Sequence, residues 1–427
     1  MPGIDGEVDV AIIGAGAAGI AAARHLLGRS RLSVLVLEAG SRIGGRAHTV
    51  RVPGTEIPID LGCAWLHGAR TNAWTRIAGE HGFEVDRMPA PWNRDDDMLR
   101  LTPDEHQRYS EAADAFYERV SARHDAGPDC AMGDLIEPTD RWHPLLDAIS
   151  TYVSGAELDR VSCRDHDEYQ PGDGPDWRVV AGYGTLISAY GADLPVVLDA
   201  AATSIDHTDR RVVRVDTERG RVCAKAVVVT ASTSVLAAEL IRFRPALPDK
   251  IAAAAKLPLG VANKIYLGLD GVDIIAPETY KIGSILTART GAYHLRPFGR
   301  PVIECFYGGE LARDLEAGGE AAFADHATGE LVELFGSGIK AHLSPIRSTA
   351  WAGAPYIGGS YSYAVPGASD CRAVLARAVD DRLFFAGEAC SPHKNTTAHG
   401  AYESGIAAAQ AVLAALVPAS AATTTGP

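Results

Sequence analysis

The N-terminal part of the chain constrains the fold most strongly, because it follows the pattern of a βαβ unit that binds a dinucleotide. An apolar run at residues 8–13 leads into GAGAAG, a helical stretch and a second apolar run at residues 33–37. Gly14 allows a tight turn out of the strand, Gly16 allows a pyrophosphate to approach the backbone, and Gly19 allows close packing of the helix. The helix N-terminus then favours the phosphates.

Glu38 follows the second strand, where such a unit carries an acidic residue. A carboxylate at this place accepts hydrogen bonds from ribose hydroxyls and repels a 2′-phosphate. The pattern therefore predicts an α/β fold with a Rossmann-type parallel sheet and a dinucleotide with free ribose hydroxyls. It leaves open whether the dinucleotide is NAD or FAD.

Length and composition indicate a globular protein with two domains. The chain has 427 residues, of which 47% are hydrophobic and 22% charged, and this length exceeds one ordinary core. The formal net charge of −14 argues against a nucleic-acid partner, because phosphate binding needs clustered lysine and arginine. An acidic surface suits a cationic small substrate, although it also serves solubility. Monomer and homodimer both stay open.

The cysteines and the apolar runs indicate in which cellular compartment the protein is expected. Seven cysteines are scattered along the chain without a CxxC pair, which is typical of reduced thiols and predicts no zinc or other metal site. The first strand begins almost at the N-terminus, so no signal peptide is expected, and no apolar run reaches membrane-spanning length. We therefore expect a soluble, cytoplasmic protein without a membrane partner.

A second glycine cluster follows Glu38 directly, in the sequence RIGGRAHT at residues 42–49. It contains Gly44, Gly45 and Arg46. It resembles the segment of glutathione-reductase-like flavoproteins that wraps the pyrophosphate and ribityl chain of FAD, where the arginine forms charge-assisted bonds to phosphate oxygens. Nicotinamide dehydrogenases have no use for such a segment here, so the two clusters together favour FAD.

Several further segments follow in the order that one family has them. They are DLGCAWLHG at residues 60–68, ANKIYL at 262–267, WAGAPYIGGSYSY at 351–363 and FFAGEACSPHKNTTAHGAYESGIAAA at 384–409. Together with the two glycine clusters they resemble the flavin-containing amine oxidases, which include monoamine oxidases, polyamine oxidases and lysine-specific demethylases. The pattern is most similar to a polyamine or monoamine oxidase of bacterial type, and it brackets nearly the whole chain.

The resemblance implies a glutathione-reductase-like FAD domain with a smaller α+β substrate-binding domain inserted discontinuously. We assign residues 1–84, 185–255 and 366–427 to the FAD domain, and residues 85–184 and 256–365 to the substrate-binding domain. Hydrophobic periodicity predicts a helical cap with a helix at 104–124, strands at 264–269 and 302–306, and a helix around 320–334. It also predicts strands at 212–215, 222–230 and 383–386 and a helix at 399–416. Residues 182–190 resemble the turn and helix that return the family's chain to the FAD domain, and the composition of the tail from residue 418 predicts that it frays.

Lys264 matches the family's lysine that holds a water against flavin N5 and assists the reaction of the reduced flavin with oxygen. A positive charge close to N5 would stabilise superoxide as it forms. A solvent-exposed lysine on a strand is the alternative. His67 lies where polyamine oxidases of animal type have a histidine facing the substrate tunnel, which hints at polyamine substrates, although a lone histidine is often structural.

The family also has two aromatic residues that sandwich the path of the amine, and motif matching gives Tyr361 and Tyr402. Tyr363 is a neighbour that could replace Tyr361, and ordinary packing is the alternative for any tyrosine. Ser360 stands where monoamine oxidases carry the cysteine that bonds to the flavin, so the sequence predicts non-covalent FAD.

The C-terminal motif matches the stretch that closes over the ribityl chain and the isoalloxazine, where a helix N-terminus would face the flavin. Trp351 is expected to flank the ring. The residues expected to bind FAD are Gly14, Ala15, Gly16, Ala17, Gly19, Glu38, Ala39, Gly44, Gly45, Arg46, Gly62, Ala64, Trp65, Ala202, Thr230, Trp351, Gly387, Glu388, Thr397, Ala398 and Ala401.

The chain departs from the family pattern at two places. Residues 230–232 are Thr, Ala and Ser where many members have Val-Pro-Leu, and Ala202 stands where a valine usually meets the adenine. Two acidic groups, at residues 95–97 and at Asp165 with residues 167–168, could bind a distal ammonium. As charge runs we favour solvated loop faces for both.

Amine oxidation requires a neutral amine, since an ammonium has no lone pair to stabilise the developing iminium, in an apolar and flat site. The resemblance implies hydride transfer from the amine alpha carbon to flavin N5, hydrolysis of the imine to an aldehyde or ketone, and reduction of O2 to H2O2. One alternative is a flavin oxidoreductase acting on an L-amino acid or another C–H donor. An amino acid oxidase would need an arginine in the pocket for the carboxylate, and Arg289 and Arg296 are candidates that the sequence does not place. The other alternative is a non-catalytic FAD-bound interaction module.

Overall fold

The computed structural model describes residues 4–94, 97–137, 139–271 and 275–417. The helices in these ranges are α1 (Ala17–Arg29), α2 (Ala73–Glu80), α3 (Pro103–Ala126), α4 (His143–Ser154), α5 (Cys163–Asp167), α6 (Tyr183–Gly191), α7 (Thr233–Ala237), α8 (Pro248–Ala255), α9 (Gly309–Phe335), α10 (Cys371–Ala376) and α11 (Ala398–Leu416). The strands are β1 (Gly6–Ile13), β2 (Val34–Leu37), β3 (Thr49–Arg51), β4 (Pro58–Asp60), β5 (Trp65–Leu66), β6 (Val85–Asp86), β7 (Trp177–Val179), β8 (Val196–Val197), β9 (Ala202–Asp206), β10 (Val213–Thr217), β11 (Gly220–Val229), β12 (Arg242–Arg244), β13 (Leu259–Gly260), β14 (Ala262–Leu269), β15 (Thr279–Ile282), β16 (Ala292–Leu295), β17 (Val302–Gly308), β18 (Leu343–Ser348), β19 (Tyr361–Ser362) and β20 (Leu383–Phe385).

The largest sheet is built around the N-terminal βαβ unit. Strand β1 pairs in parallel with β2 and β11, β2 continues to β8, and β11 continues to β20. The C-terminal half of β1 and the whole of β2 are continuous apolar runs, as expected for a parallel sheet covered on both faces. The antiparallel strands β10 and β9 and the edge strand β12 extend the sheet from the first half of β11. The predicted α/β fold with a parallel sheet is confirmed.

Helices α1 and α11 cover one face of this sheet and pack against each other. Ile20, Leu26 and Val412 are fully buried between them and the strands. A Cβ atom at Gly405 would lie 2.2 Å from the main-chain oxygen of Ala18, so the close approach of the two helices needs glycine. This packing fixes the N-termini of α1 and α11, which both belong to the predicted cofactor site.

A second, five-stranded antiparallel sheet has the order β15-β16-β17-β14-β18. Helix α9 covers one of its faces, and Phe323, Ala327 and Leu331 of that helix are buried against it. The predicted strands at 264–269 and 302–306 lie in β14 and β17, and the predicted helix at 320–334 is the second part of α9. The helix starts earlier and bends at Gly319, where φ is +75°.

The predicted cap is helical. Helix α3 begins with a capping box of Thr102 and Glu105 and covers the predicted range 104–124. It packs with α4 and α5 around Phe116, Trp142 and Leu145. The predicted domain boundary between residues 184 and 185 falls inside α6, because this helix already begins at Tyr183.

Some predictions concern residues outside the described ranges, namely the tail from residue 418 and two residues of the acidic group at 95–97. Among the described helices, none combines the length and apolar content that a membrane crossing requires. All seven cysteines are free thiols, and the sulfur atoms of Cys130 and Cys163 lie 3.6 Å apart.

Candidate active site

The glycine loop between β1 and α1 has the shape that a pyrophosphate requires. Gly14 has φ of +102°, and a Cβ at Gly19 would lie 1.9 Å from the Gly14 oxygen. A Cβ at Gly16, in contrast, would meet nothing within 4 Å. No side chain caps the first turn of α1, so N–H groups are available beside this open space for an anionic ligand. Ala15 lies in this loop and Ala17 begins α1, and the loop fits the phosphates of FAD.

Main-chain amides of the glycine loop and of residue 40 hold the Glu38 side chain in place. Its carboxylate accepts hydrogen bonds from the amides of Ala15 at 2.6 Å and Gly40 at 2.7 Å. Each oxygen keeps acceptor capacity for a ribose hydroxyl. The amide of Ala200 donates to the Glu38 main-chain oxygen at 2.8 Å, which brings the start of β9 with Ala202 to the same edge as residues 38–40.

The second glycine cluster lies against the first. The amide of Gly44 donates to the Ala15 oxygen at 2.8 Å, and a Cβ at Gly45 would lie 3.3 Å from the Gly16 Cα. Arg46 Nη1 donates to Glu388 Oε1 and to the Ser360 oxygen, both at 2.8 Å. Within the described part of the chain, Arg46 Nη2 has no hydrogen-bond partner, which leaves it for a phosphate. Arg46, Thr230, Gly387 and Glu388 line one cleft.

Lys264 lies where the second sheet meets the stretch after β4. Its Nζ donates to the main-chain oxygen of Asp60 at 3.0 Å and lies 2.8 Å from Glu304 Oε1. The indole of Trp351 donates to the main-chain oxygen of Leu61 at 3.3 Å. Lys264, Trp351 and residues 60–62 are therefore brought together, and Lys264 is buried rather than exposed on its strand.

Main-chain and side-chain hydrogen bonds hold this corner. The amide of Lys264 donates to Thr349 Oγ1, and the Thr349 amide donates back to the Lys264 oxygen. Asn263 Oδ1 accepts from the amide of Trp351 at 3.2 Å. Gly62 has no room for a side chain, because its Cβ would lie 1.8 Å from the Arg46 oxygen. The predicted residues of this corner are thus fixed by contacts with each other.

Trp65 begins β5, His67 follows the strand, and Ala64 precedes it. The ring of Trp65 meets Trp92 edge-on at 4.4 Å, and the Arg178 guanidinium lies 4.9 Å from its centre. His67 Nδ1 lies 3.2 Å from Asp176 Oδ2, and its side chain is 38% exposed. His67 therefore has an acidic partner.

The two predicted wall tyrosines have different surroundings. The hydroxyl of Tyr361 donates to the main-chain oxygen of Tyr152. Tyr402 packs edge-on against Trp74 at 5.2 Å and near Tyr190 at 6.4 Å, in the core beneath α11. Its place on α11 turns the Tyr402 ring toward Trp74 of α2, and the predicted role of Tyr402 beside the amine stays a prediction.

The N-terminus of α11 carries three of the residues predicted to bind FAD, namely Thr397, Ala398 and Ala401. Thr397 caps the helix by accepting from the Gly400 amide, and the Ala398 oxygen accepts from the Trp74 indole at 3.1 Å. Ala401 is buried in the next turn. Burial lowers the pKa of His399 to about 4, and the ring donates from Nε2 to the Pro171 oxygen as a neutral imidazole. The first turn of α11 is therefore held in place while its His399 side chain stays uncharged.

A buried polar chain that the sequence did not reveal runs behind Tyr361. Asp165 binds the guanidinium of Arg372 through both carboxylate oxygens, and Arg372 is fully buried. Arg372 Nη1 donates to Ser362 Oγ, which in turn donates to Glu388 Oε2. Asp165 is therefore neither a solvated residue nor a free site for an ammonium, contrary to both interpretations of its acidic group.

The two arginines considered for the carboxylate of an amino acid have other partners. Arg289 pairs with Asp314 on the surface, and Arg296 donates to the Ile275 oxygen. Neither contact places its arginine at a site for a substrate carboxylate.

Glu304 was missed as a site residue. The available signal was a single charge inside the apolar strand sequence VIECFYG.

The chain matches the profile of the family described as flavin containing amine oxidoreductase over residues 17–101 and 97–413. It therefore belongs to the flavin-containing amine oxidoreductase family. It is 29% identical to probable polyamine oxidase 4 of Arabidopsis thaliana, across 95% of this chain and 86% of that protein. It is 28% identical to lysine-specific histone demethylase 1 homolog 2 of Oryza sativa subsp. japonica, across 95% of this chain and 57% of that protein. The solved structure of a putrescine oxidase bound to putrescine superimposes with a TM-score of 0.79 at 17% identity, across 96% of this chain and 99% of that one.

Family membership and the fit of the two glycine clusters define the class of the protein. It is an FAD-dependent oxidoreductase that acts on a small-molecule amine. The predictions of FAD as cofactor and of amine oxidation as function are confirmed.

Proposed function

We propose that the protein is an FAD-dependent oxidase of diamines or polyamines that passes electrons to O2. When bound, FAD would accept a hydride from the amine alpha carbon and would pass the two electrons to O2, giving H2O2. The observation that carries the proposal is the buried Lys264 ammonium, joined to the Asp60 oxygen beside Trp351. Water would hydrolyse the imine product to an aldehyde or ketone.

The FAD domain of this proposal is glutathione-reductase-like and discontinuous, with the boundary between residues 184 and 185 moved to the start of α6. Its residues hold the cofactor without a covalent bond. The hydroxyl of Ser360 donates to the Ala262 oxygen and accepts from the Ala262 amide, both at 2.8 Å. Glu38 holds the ribose, the two glycine clusters and Arg46 hold the pyrophosphate, and the first turn of α11 faces the ring.

Lys264 supplies positive charge where charge develops during the reaction with oxygen. An ammonium in a buried site acts more strongly on a forming anion than it does in water. Its main-chain and side-chain contacts fix it before the reaction, so no reorganisation is required.

The substrate side is formed by Tyr361, Trp65 and His67 in this proposal. The hydroxyl of Tyr361 is occupied by the Tyr152 oxygen, which turns an apolar ring face to an amine and favours its neutral form. The His67–Asp176 pair offers a carboxylate for a second, charged nitrogen. Polyamine substrates are supported by this pair and by the likeness to polyamine oxidases.

The substrate class is tested by anaerobic mixing of the enzyme with a panel of amines while the flavin absorbance is followed. We expect diamines and polyamines to bleach the flavin, and aromatic monoamines and L-amino acids to leave it oxidised. Bleaching by L-amino acids alone would replace the proposal with the amino acid oxidase, and no bleaching with any donor would favour a module without turnover.

The reductive half-reaction is expected to speed up as the pH rises toward the pKa of the bound amine, because only the neutral amine can release a hydride. Burial lowers the pKa of His48 and His399 to about 4, so neither histidine changes charge in the neutral to alkaline range. Stopped-flow reduction at saturating substrate measures this rate. A flat profile between neutral and alkaline pH would contradict the requirement for a neutral amine.

A further inference from the structure

The side chain of Lys264 forms a buried ion pair with Glu304. The distance between Nζ and Glu304 Oε1 is 2.8 Å, and the two side chains are 7% and 15% exposed. Nζ also donates to the Asp60 oxygen at 3.0 Å. An ammonium has three N–H bonds, so these contacts use two of them and leave one for a further partner.

The strand register sets this pair. Glu304 on β17 lies directly opposite Tyr266 on β14, two residues from Lys264. Because side chains alternate along a strand, Lys264, Tyr266 and Glu304 share one face of the sheet. The Tyr266 hydroxyl oxygen lies 2.9 Å from Glu304 Oε2. The carboxylate is therefore oriented by one neighbour while its other oxygen faces the lysine.

The other titratable side chains near the pair do not bring a negative charge into contact with Lys264 Nζ. The Asp60 carboxyl accepts from Thr49 and from the amides of residues 183–184, and burial raises its pKa. Burial raises the pKa of the Cys63 thiol to about 12. Burial also raises the pKa of the hydroxyls of Tyr266 and Tyr280, and His294 pairs with Glu278.

Glu304 itself is held as an anion. Burial works against its carboxylate, but Lys264, His294 and the hydrogen bonds it accepts keep its pKa below the usual value. Of the groups that surround Lys264 in the described ranges, Glu304 is thus the one that presents a carboxylate to the ammonium.

We propose that Glu304 is a positioning residue for the reaction, which keeps Lys264 in its ammonium form and holds Nζ against the Asp60 oxygen. The inference rests on the proposed role of Lys264 toward oxygen. A buried lysine without an anionic partner loses its proton readily, because burial disfavours the charged form. Removal of the carboxylate should therefore let Lys264 lose its proton at a lower pH than in the wild type.

The test compares the Glu304→Gln holoenzyme with the wild type. The glutamine keeps the size and one acceptor oxygen but not the charge. The first measurement is the NMR titration of the lysine ε-carbon signals, with the Lys264 signal assigned by its loss in Lys264→Met. The second is the rate of flavin reoxidation by O2 against pH. We expect the Lys264 signal to titrate at lower pH in the variant, and reoxidation to be about 10-fold slower at the alkaline end only.

Three further variants sharpen the result. Glu304→Asp should restore part of the wild-type profile. Adding Glu304→Gln to Lys264→Met should slow reoxidation no further, because one residue acts through the other. Glu330→Gln is the matched control, since Glu330 is a buried carboxylate of the same region that bonds Thr290 and Tyr293; its profile should equal the wild type.

An unchanged Lys264 titration in Glu304→Gln would overturn the proposal, as would additive effects with Lys264→Met or a defect confined to flavin reduction by the amine. If Glu304→Gln does not fold with FAD, the titration of Glu304→Asp decides in the same way. Reoxidation of Lys264→Met at the wild-type rate would instead refute the role of Lys264, and the NMR titration would still decide what Glu304 does.

Discussion

Replacing Lys264 with methionine should slow the reaction of the reduced flavin with O2 about 100-fold while FAD stays bound. Methionine keeps the length of the side chain but removes the ammonium that lies against the Asp60 oxygen. The FAD site has its own contacts in the glycine clusters and α11, so its occupancy should not depend on this charge. Stopped-flow mixing of the substrate-reduced enzyme with oxygenated buffer measures the rate.

Lys225→Met is the matched control, because Lys225 lies on the exposed part of β11 and pairs with Asp9. It should reoxidise like the wild type. The reduction of Lys264→Met by the amine should change far less than its reoxidation. A reoxidation rate equal to the wild type would remove Lys264 from the oxygen reaction.

Replacing Arg372 with methionine should lower the free energy of unfolding by about 3–5 kcal/mol, the usual cost of leaving one buried charge unpaired. Arg372 is fully buried, and its guanidinium holds Asp165 and Ser362. Its loss leaves the Asp165 carboxylate without a cation and loosens the link to Glu388. Chemical denaturation followed by circular dichroism measures the change, with FAD occupancy recorded in parallel.

Adding Asp165→Asn to this variant should recover part of the lost stability, since the unpaired charge is then gone. Arg289→Met offers a comparison with an exposed pair, in which both side chains are more than half exposed; its cost should stay below about 1 kcal/mol. Equal costs for Arg372 and Arg289 would show that burial of the pair does not govern its contribution.

The sequence predicts those parts of the site whose signal is local. The glycine clusters and Glu38 are read from short segments, because each residue type answers a requirement of the backbone or of the phosphates. The parallel sheet follows from the apolar runs on either side of the first cluster. Lys264 was predicted from a resemblance, and the structure adds its burial and its contact with the Asp60 oxygen.

The remainder depends on contacts between distant segments. Asp165 and Arg372 are 207 positions apart, and nothing near either residue indicates the other. Glu304 is recognisable as unusual only because it stands alone in an apolar strand, and its partner is found through the register of β14 and β17. Tyr402 was predicted from a motif position, and its contact with Trp74 of α2 is another that the sequence near it does not indicate.

The doubly bonded hydroxyl of Ser360 has a practical consequence. Because it ties the residue before β19 to the first residue of β14 instead of anchoring the prosthetic group, we expect that the apoprotein of the proposed non-covalent complex can be reconstituted with flavin analogues. A series of analogues graded in driving force would then separate the intrinsic chemistry of the ring from the contribution of the surrounding protein, with every amino acid unchanged.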